Sequence, residues 1–309
     1  VDINMVTANT SPGWKIWAED QDGTPLTVST SPVIRVVSGA TAKLQLLVPD
    51  EVAKPGTSSG KSGTVQPQTA GKKFLITVNA CDANWNINSS VGDTVNLTTD
   101  DLWDTEPVNL ALVSGTTYFV LDLRTAKVSS GCATDVTNAG INSSTSSAIT
   151  VKTRAESPIY LQLVMPGETA VAGKGDAPVG GKSGSPSQRT AGNQFTMTVN
   201  ATDRYWNIFT ADPGLGAGWP VGAKIFTTDN YDTEVSSKAL TNGTTVFNWT
   251  FFTAGVIYST ATDADATSPL YTEYGSSVSV SANSPVNMQV ILPGETAVDG
   301  HPQGKTGVP

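Results

Sequence analysis

The sequence contains three glycine–lysine motifs whose composition is typical of phosphate-binding loops. They read GKSG at Gly60–Gly63, GKSG at Gly181–Gly184 and GKTG at Gly304–Gly307. A phosphate-binding loop needs four residues between its first glycine and the Gly-Lys pair, and it joins a strand to a helix. Only three residues separate Gly56 from Gly60. We therefore interpret the motifs as an ordered, glycine-rich connection between strands and not as a nucleotide site.

Side chains that carry oxygen alternate at Asp82, Asn84 and Asn86, as they do at the start of a calcium-binding loop. The segment lacks the glycine and the distal glutamate of a complete EF-hand loop. The same pattern is typical of a turn in which aspartate and asparagine bond their own backbone. The sequence leaves both interpretations open, and we favour the hydrogen-bonded turn.

Histidine occurs once, at His301 in a segment rich in glycine and proline. Ser-His-Asp triads and most zinc sites need histidine, so the sequence argues against both. No spacing singles out two carboxylates as the acid and nucleophile of a glycosidase. We therefore predict that the chain is not an enzyme and requires no cofactor, with calcium as the one candidate ion.

The amino-acid composition is typical of proteins at the cell surface or outside the cell. Its 309 residues carry a net charge of −9 and a pI of about 4.6, so no basic face is available for nucleic acid. No apolar run reaches the roughly 18 residues that a membrane-spanning segment needs. Polar uncharged residues are abundant while only 15% of residues are charged. This composition predicts an all-β protein at the cell surface or outside the cell.

One short apolar segment occurs three times, as LQLLVPDE at Leu44–Glu51, LQLVMPGE at Leu161–Glu168 and MQVILPGE at Met288–Glu295. Longer segments repeat as well, since Gln68–Asn86 matches Arg189–Asn207. A period of roughly 120 residues is the size of a whole domain. We expect the second half of one repeat, two complete repeats and the start of a further repeat, at residues 1–40, 41–156, 157–285 and 286–309.

The apolar residues within a repeat follow a period of two. Phe74, Ile76 and Val78 alternate with Leu75 and Thr77, which gives one apolar face, as an antiparallel sheet with one wet side requires. About seven short strands occur in each repeat, and no helical stretch is visible. The pattern predicts an all-β fold of antiparallel β-sandwiches.

The segment Phe74–Asn86 ends in ACDANWN and is followed by a second strand, DTVNLTTDD, at Asp93–Asp101. These residues resemble the immunoglobulin-like repeats of bacterial surface proteins of the invasin and intimin type. The family pattern is an alternating strand, Asp-x-Asn-Gly-Asn and a strand rich in valine; here Trp85 takes the glycine position. The resemblance implies tandem immunoglobulin-like sandwiches and a role in display or adhesion.

The immunoglobulin-like layout also implies a fuller calcium set, because it places the Asp82 turn at the same pole as the loop that carries Asp135. The expected ligands in the two complete repeats are Asp82, Asn84, Asn86 and Asp135, and Asp203, Asn207 and Asp263. Such an ion would stiffen the joint with the preceding domain. We expect Asp100, Asp101 and Asp104 to be solvated turn residues instead.

Cys81 and Cys132 are the only cysteines, and the second repeat has Thr202 and Thr260 in their places. The resemblance implies that they lie on strands B and F, where immunoglobulin domains place their bridge. A disulfide would indicate an oxidising compartment. Alternation from Phe74 places Cys81 on the outer face of its strand, so two free buried thiols remain the alternative.

Two sets of residues concern glycans. Sequons for N-linked glycosylation occur at Asn9, Asn88, Asn96, Asn142, Asn200, Asn242 and Asn248. Five tryptophans either form a sugar-stacking surface or pack inside the domains, namely Trp85, Trp103, Trp206, Trp219 and Trp249. We favour packing.

Three functional hypotheses follow, the third of which is a remote accessory module of an enzyme. In the first, the chain is a structural repeat segment of a bacterial stalk, fibre, filament or surface layer, and its partners are neighbouring repeats or copies of itself. In the second, it is an adhesin that binds a surface glycan or a host protein. The segment Ala211–Gly222, absent from the first repeat, is the expected binding site of an adhesin.

Overall fold

The computed structural model describes residues 2–23, 26–155, 159–175, 181–210, 222–233, 235–264 and 271–309. Within these ranges the chain forms β-strands and turns and no α-helix, which confirms the all-β fold class. None of the described residues belongs to a helix long and apolar enough to cross a membrane.

The chain divides into two compact units. Unit 1 comprises Val1–Gln68, Lys72–Leu123 and Lys127–Val151, and unit 2 comprises Thr69–Gly71, Arg124–Ala126 and Lys152–Pro309. Residues 1–40 thus belong to the same unit as most of the first complete repeat. Two short segments of that repeat, Thr69–Gly71 and Arg124–Ala126, belong to unit 2.

Among the residues that the structure describes, unit 1 begins with four short strands. They are β1 (Asn9–Trp14), β2 (Trp17–Ala18), β3 (Ser29–Thr30) and β4 (Ile34–Val36). Strand β1 pairs with β4 and β2 pairs with β3, both antiparallel.

The complete repeat of unit 1 has twelve strands among the described residues. They are β5 (Lys43–Leu47), β6 (Glu51–Ala53), β7 (Lys61–Gly63), β8 (Gln68–Thr69), β9 (Phe74–Cys81), β10 (Thr94–Thr99), β11 (Leu110–Ala111), β12 (Thr116–Leu121), β13 (Val128–Ser129), β14 (Gly131–Asp135), β15 (Ser144–Thr145) and β16 (Ile149–Lys152). The main sheets have the orders β12-β9-β5 and β11-β10-β14-β15, a third has the order β13-β16-β8, and β6 and β7 form a hairpin.

Unit 2 repeats this arrangement. Its strands are β17 (Ile159–Val164), β18 (Glu168–Ala170), β19 (Lys182–Gly184), β20 (Arg189–Thr190), β21 (Gln194–Thr202), β22 (Gly222–Thr227), β23 (Lys238–Ala239), β24 (Thr244–Thr250), β25 (Gly255–Asp263), β26 (Tyr271–Tyr274), β27 (Ser276–Ser281), β28 (Glu295–Ala297) and β29 (Lys305–Gly307). The two main sheets have the orders β24-β21-β17-β26 and β20-β27-β25-β22-β23, and β18–β19 and β28–β29 are hairpins.

This strand order is that of an immunoglobulin-like sandwich. In unit 2, β21 pairs with β17 and with β24 in one sheet. In the other sheet, β25 pairs with β22 and with β27. All four pairings are antiparallel. The two complete repeats are therefore tandem immunoglobulin-like β-sandwiches, as the resemblance implies.

The period of two explains which side chains fill the core. In β9, Ile76 and Val78 are fully buried while Leu75 is 59% exposed. In β24, Phe247 and Trp249 are buried and Val246 is 47% exposed. Each strand therefore contributes one face to the space between the sheets.

Neighbouring residues of β24 provide a test of this core. We expect Phe247→Ala to lower the free energy of unfolding by about 3–5 kcal/mol, because it leaves a cavity between the sheets. We expect Val246→Ala to change it by less than about 0.5 kcal/mol, because the side chain faces solvent. Urea unfolding of both variants measures the difference, and equal losses would contradict the assigned register.

Candidate functional site

Asp82 organises the turn that follows β9. Its Oδ1 accepts the backbone N–H groups of Asn84 (2.8 Å) and Asn86 (2.9 Å). Its Oδ2 accepts the N–H of Gly39 (2.8 Å) and the side-chain amide of Asn86 (2.9 Å). Four N–H donors thus surround one carboxylate that is only 4% exposed.

Trp85 completes this turn with a left-handed backbone, at φ 68°. This conformation normally favours glycine, which explains why the related pattern has glycine here. The indole instead lies against Gly60, where an added Cβ would stand 2.2 Å from the ring. The ring also donates from Nε1 to the Ser58 carbonyl (3.1 Å), and Lys43 Nζ lies 3.5 Å from the ring centroid. The first glycine of the GKSG motif is therefore needed to admit the tryptophan.

Unit 2 builds the same turn. Asp203 Oδ1 accepts the N–H groups of Tyr205 (2.8 Å) and Asn207 (3.0 Å), and its Oδ2 accepts the N–H of Arg154 (2.9 Å). Trp206 has φ 65°, and its ring would lie 2.2 Å from a Cβ on Gly181. Because the turn recurs in both complete repeats, it is a regular element of this fold.

The asparagine that ends each turn binds a separate backbone segment from both sides. Asn86 Oδ1 accepts the N–H of Ala8 (2.7 Å), and its Nδ2 donates to the Val6 carbonyl (2.9 Å). In unit 2, Asn207 Oδ1 accepts the N–H of Ala126 (2.7 Å) and its Nδ2 donates to the Arg124 carbonyl (2.8 Å). We call each such pair of bonds an asparagine clamp.

Burial gives the two aspartates different electrostatics. Burial raises the pKa of Asp82, but the hydrogen bonds from Gly39, Asn86 and Asn84 outweigh it and hold the pKa below its usual value. At Asp203, which is 0% exposed, burial outweighs the equivalent hydrogen bonds and raises the pKa. The same bonds therefore give opposite shifts because desolvation differs.

The lysine of each glycine–lysine motif pairs with the glutamate that ends the repeated apolar segment. Lys61 Nζ lies 3.0 Å from Glu51 Oε1 and 2.8 Å from Ser147 Oγ. The equivalent pairs are Lys182–Glu168, at 2.9 Å, and Lys305–Glu295, at 2.8 Å. These lysines hold the hairpin closed, so their role is structural.

A buried polar ladder lies beneath the hairpin of unit 1. Gln45 Nε2 donates to the Gly60 carbonyl (2.8 Å), Asn79 Nδ2 to Gln45 Oε1 (2.9 Å) and Thr116 Oγ1 to Asn79 Oδ1 (2.8 Å). Sequence reasoning missed these residues, because a polar residue on an outward position looks solvated. Their recurrence in the second repeat was the available signal.

The same ladder in unit 2 changes the interpretation of one sequon. Asn200 is 3% exposed; its amide nitrogen donates to Gln162 and its oxygen accepts the Thr244 hydroxyl. The folded domain therefore leaves no room for a glycan at Asn200, contrary to the sequon-based expectation. Asn142, Asn242 and Asn248 are exposed, and Asn9, Asn88 and Asn96 are partly exposed.

The structure does not assemble the calcium set expected from the sequence. The acceptor positions of Asp82 are filled by N–H donors, which leaves none for a cation. Asp135 accepts the N–H groups of Thr137 (2.9 Å) and Asn138 (2.8 Å), and its carboxylate faces Asp93. In the described ranges no group of three or more His, Cys, Asp or Glu residues is placed to hold a metal ion. The geometry fits the hydrogen-bonded turn.

In unit 2, Asp203 and Asn207 form the equivalent turn, while Asp263 lies at the end of β25 opposite Ala223.

Asp101 also differs from expectation, since it is 3% exposed and caps its own turn by accepting the Trp103 N–H. Trp206 and Trp249 are buried, as packing requires. Trp219 and residues 211–221 lie outside the described residues.

The expected disulfide between Cys81 and Cys132 is absent, and both thiols are free. In β9, Ala80 faces the core, so Cys81 points to the opposite face, where it is buried. In β14, Ala133 faces the core and Cys132 points away from it. The two side chains lie on the outer faces of different sheets, so they cannot bridge the sandwich.

No protein-family model and no curated protein matches the chain. Similar solved structures include the D0–D1 domains of intimin, with 11% identity over 74% of this chain and 98% of that chain and a TM-score of 0.25. Invasin, a bacterial integrin-binding protein, has 16% identity over 78% of this chain and 40% of its own chain, with a TM-score of 0.28. Domains 1–6 of the surface-layer protein SbsC have 12% identity over 93% of this chain and 35% of that chain, with a TM-score of 0.26. At these values the likeness is one of fold alone.

The asparagine clamp can be tested by comparing two asparagines of one turn. We expect Asn86→Ala to lower the free energy of unfolding of unit 1 by roughly 2–4 kcal/mol, because it removes the bond to Asp82 and leaves the partly buried backbone groups of Val6 and Ala8 unpaired. Asn84→Ala is the matched control, since the Asn84 side chain is exposed. Calorimetry on both variants measures the difference, and a loss of similar size in Asn84→Ala would contradict the clamp.

The two thiols should differ in reactivity. Burial, with the nearby Asp82 charge, raises the pKa of the Cys81 thiol to about 12, whereas Cys132 is partly exposed. We expect iodoacetamide to label Cys132 alone in the native protein and both cysteines after unfolding without reductant, as read by mass spectrometry. Recovery of one cross-linked peptide pair would overturn the free-thiol assignment.

Proposed function

We propose that the chain is a structural segment of a bacterial extracellular or cell-surface protein. In this role the tandem immunoglobulin-like sandwiches supply length and stiffness to a stalk, fibre, filament or surface layer. Its partners are neighbouring repeats or further copies of the chain, and it performs no catalysis.

The observation that carries the proposal is the recurrence of the asparagine clamp. In each unit, the turn of a complete repeat binds a Thr-Ala segment from the preceding repeat in the sequence. The segment is Thr7–Ala8 in unit 1 and Thr125–Ala126 in unit 2. Each clamp bonds both a carbonyl and an N–H, so it restrains that segment in position and direction. A chain that only displays one binding loop has no need to repeat such a connection.

The three lysine–glutamate pairs support the same conclusion. They close the hairpin of every copy, including the one formed by β28 and β29. Each pair joins a carboxylate of which at most 8% of the side chain is exposed to a lysine, and this burial strengthens the electrostatic attraction. The ion pair that recurs in all three copies therefore stabilises the hairpins of the fold.

Electron microscopy of the native protein isolated from cells that produce it tests this function. We expect regular fibres, filaments or sheets whose repeat distance changes when domains are added or removed. A glycan and host-protein binding screen serves as the comparison, because an adhesin is the alternative. Dispersed particles that bind one glycan or one host protein tightly would contradict a structural role.

A further inference from the structure

Two carboxyl groups meet at the edge of the sheet β11-β10-β14-β15. Val95 pairs with Asp135 across β10 and β14, so Asp93, two residues before Val95, is the diagonal neighbour of Asp135. Val95 and Leu97 face the core from β10, and Ala133 does so from β14. Because alternate residues of a strand share a face, Asp93 and Asp135 both lie on the core side of this sheet.

Asp135 presents one oxygen that lacks an N–H donor. Its Oδ1 accepts two backbone N–H groups, as described above, whereas its Oδ2 is buried and receives no N–H group of the described residues; the Asp93 carboxyl group is the side chain within hydrogen-bonding reach of Asp135. The whole residue is 4% exposed. A buried carboxylate oxygen that is left unpaired is costly, so the position calls for either a cation or a proton shared with Asp93.

No lysine, arginine or histidine side chain in the described ranges supplies a positive charge there. The ion pairs of the described residues involve other acids, and Asp93 and Asp135 face each other. Burial and the Asp135 charge together raise the pKa of Asp93. The Thr137 hydroxyl, which accepts the Thr94 N–H at 2.8 Å, provides a third oxygen on the strand edge beside them.

We propose that Asp93 and Asp135 bind a divalent cation, of which calcium fits best because it takes hard oxygen ligands and completes its shell with water. The site shares only Asp135 with the calcium set expected from the sequence and is independent of the proposed structural role. Its effect is to join the start of β10 to the loop that follows β14.

Unit 2 provides a natural comparison for this site. Ala223 pairs with Asp263 as Val95 pairs with Asp135. The residue that corresponds to Asp93 is therefore residue 221, which is valine in the sequence. Because this repeat has one of the two carboxyl groups, Asp263→Asn serves as the matched control variant.

Calorimetric titration of the whole chain with calcium chloride, and thermal melting with calcium or with a chelator, test the site near neutral pH. We expect calcium to bind and to raise the melting temperature of the wild-type chain. Asp93→Asn should weaken calcium binding at least about tenfold, as loss of a metal ligand does, and should abolish the shift. Asp263→Asn should leave both unchanged.

Three outcomes would overturn the proposal. The first is a wild-type chain that neither binds calcium nor changes its melting temperature. The second is a calcium response that survives intact in Asp93→Asn, because the ion would then lie elsewhere. The third is an Asp93→Asn variant that melts higher than wild type in chelator while calcium has no effect on either, since that result indicates a shared proton. Asp93 is only partly buried, so its substitution by the isosteric asparagine leaves the core intact.

Discussion

A carboxylate surrounded by N–H donors fixes the turn on which each complete sandwich depends. Asp82 and Asp203 close the turn after the longest strand of their sheets, and this closure sets the left-handed tryptophan that follows. The tryptophan ring in turn requires a glycine opposite it, at Gly60 or Gly181. One interaction thus explains why motifs far apart in the sequence recur together.

The two turns show that hydrogen bonds alone do not determine the energetics of a buried acid. Asp82 has a lowered pKa, so it contributes stability above its unfolded-state pKa that is lost as the pH falls through the folded-state value. Asp203 has a raised pKa, so its contribution is present below the unfolded-state pKa and is lost as the pH rises through the folded-state value. Deeper burial of the second turn reverses the sign.

Local patterns in the sequence predict the strands well, because alternation is a property of each strand by itself. The outward direction of Cys81 follows from the same alternation, and it outweighs the disulfide implied by the resemblance. The partner of Asp135 does not follow from any local pattern, because the register of β10 and β14 decides it. Nor does the ladder from Gln45 to Thr116, since only the folded hairpin buries it.

The glycine–lysine motifs illustrate the same limit. Their composition suggests a phosphate ligand, whereas the fold uses the glycine to admit a tryptophan and the lysine to neutralise a glutamate. Both partners lie outside the motif, so the motif alone cannot reveal them. The three copies of the lysine–glutamate pair were the only sequence signal of this pairing.

We expect the asparagine clamps to hold the Thr-Ala segments as firmly as the sheets hold their strands. Amide hydrogen exchange measured by nuclear magnetic resonance tests it at the N–H groups of Ala8 and Ala126, which donate to Asn86 and Asn207. We expect protection of both N–H groups close to that of the Val78 N–H in β9 and far above that of the exposed Leu102. Exchange of Ala8 and Ala126 as fast as that of Leu102 would contradict it.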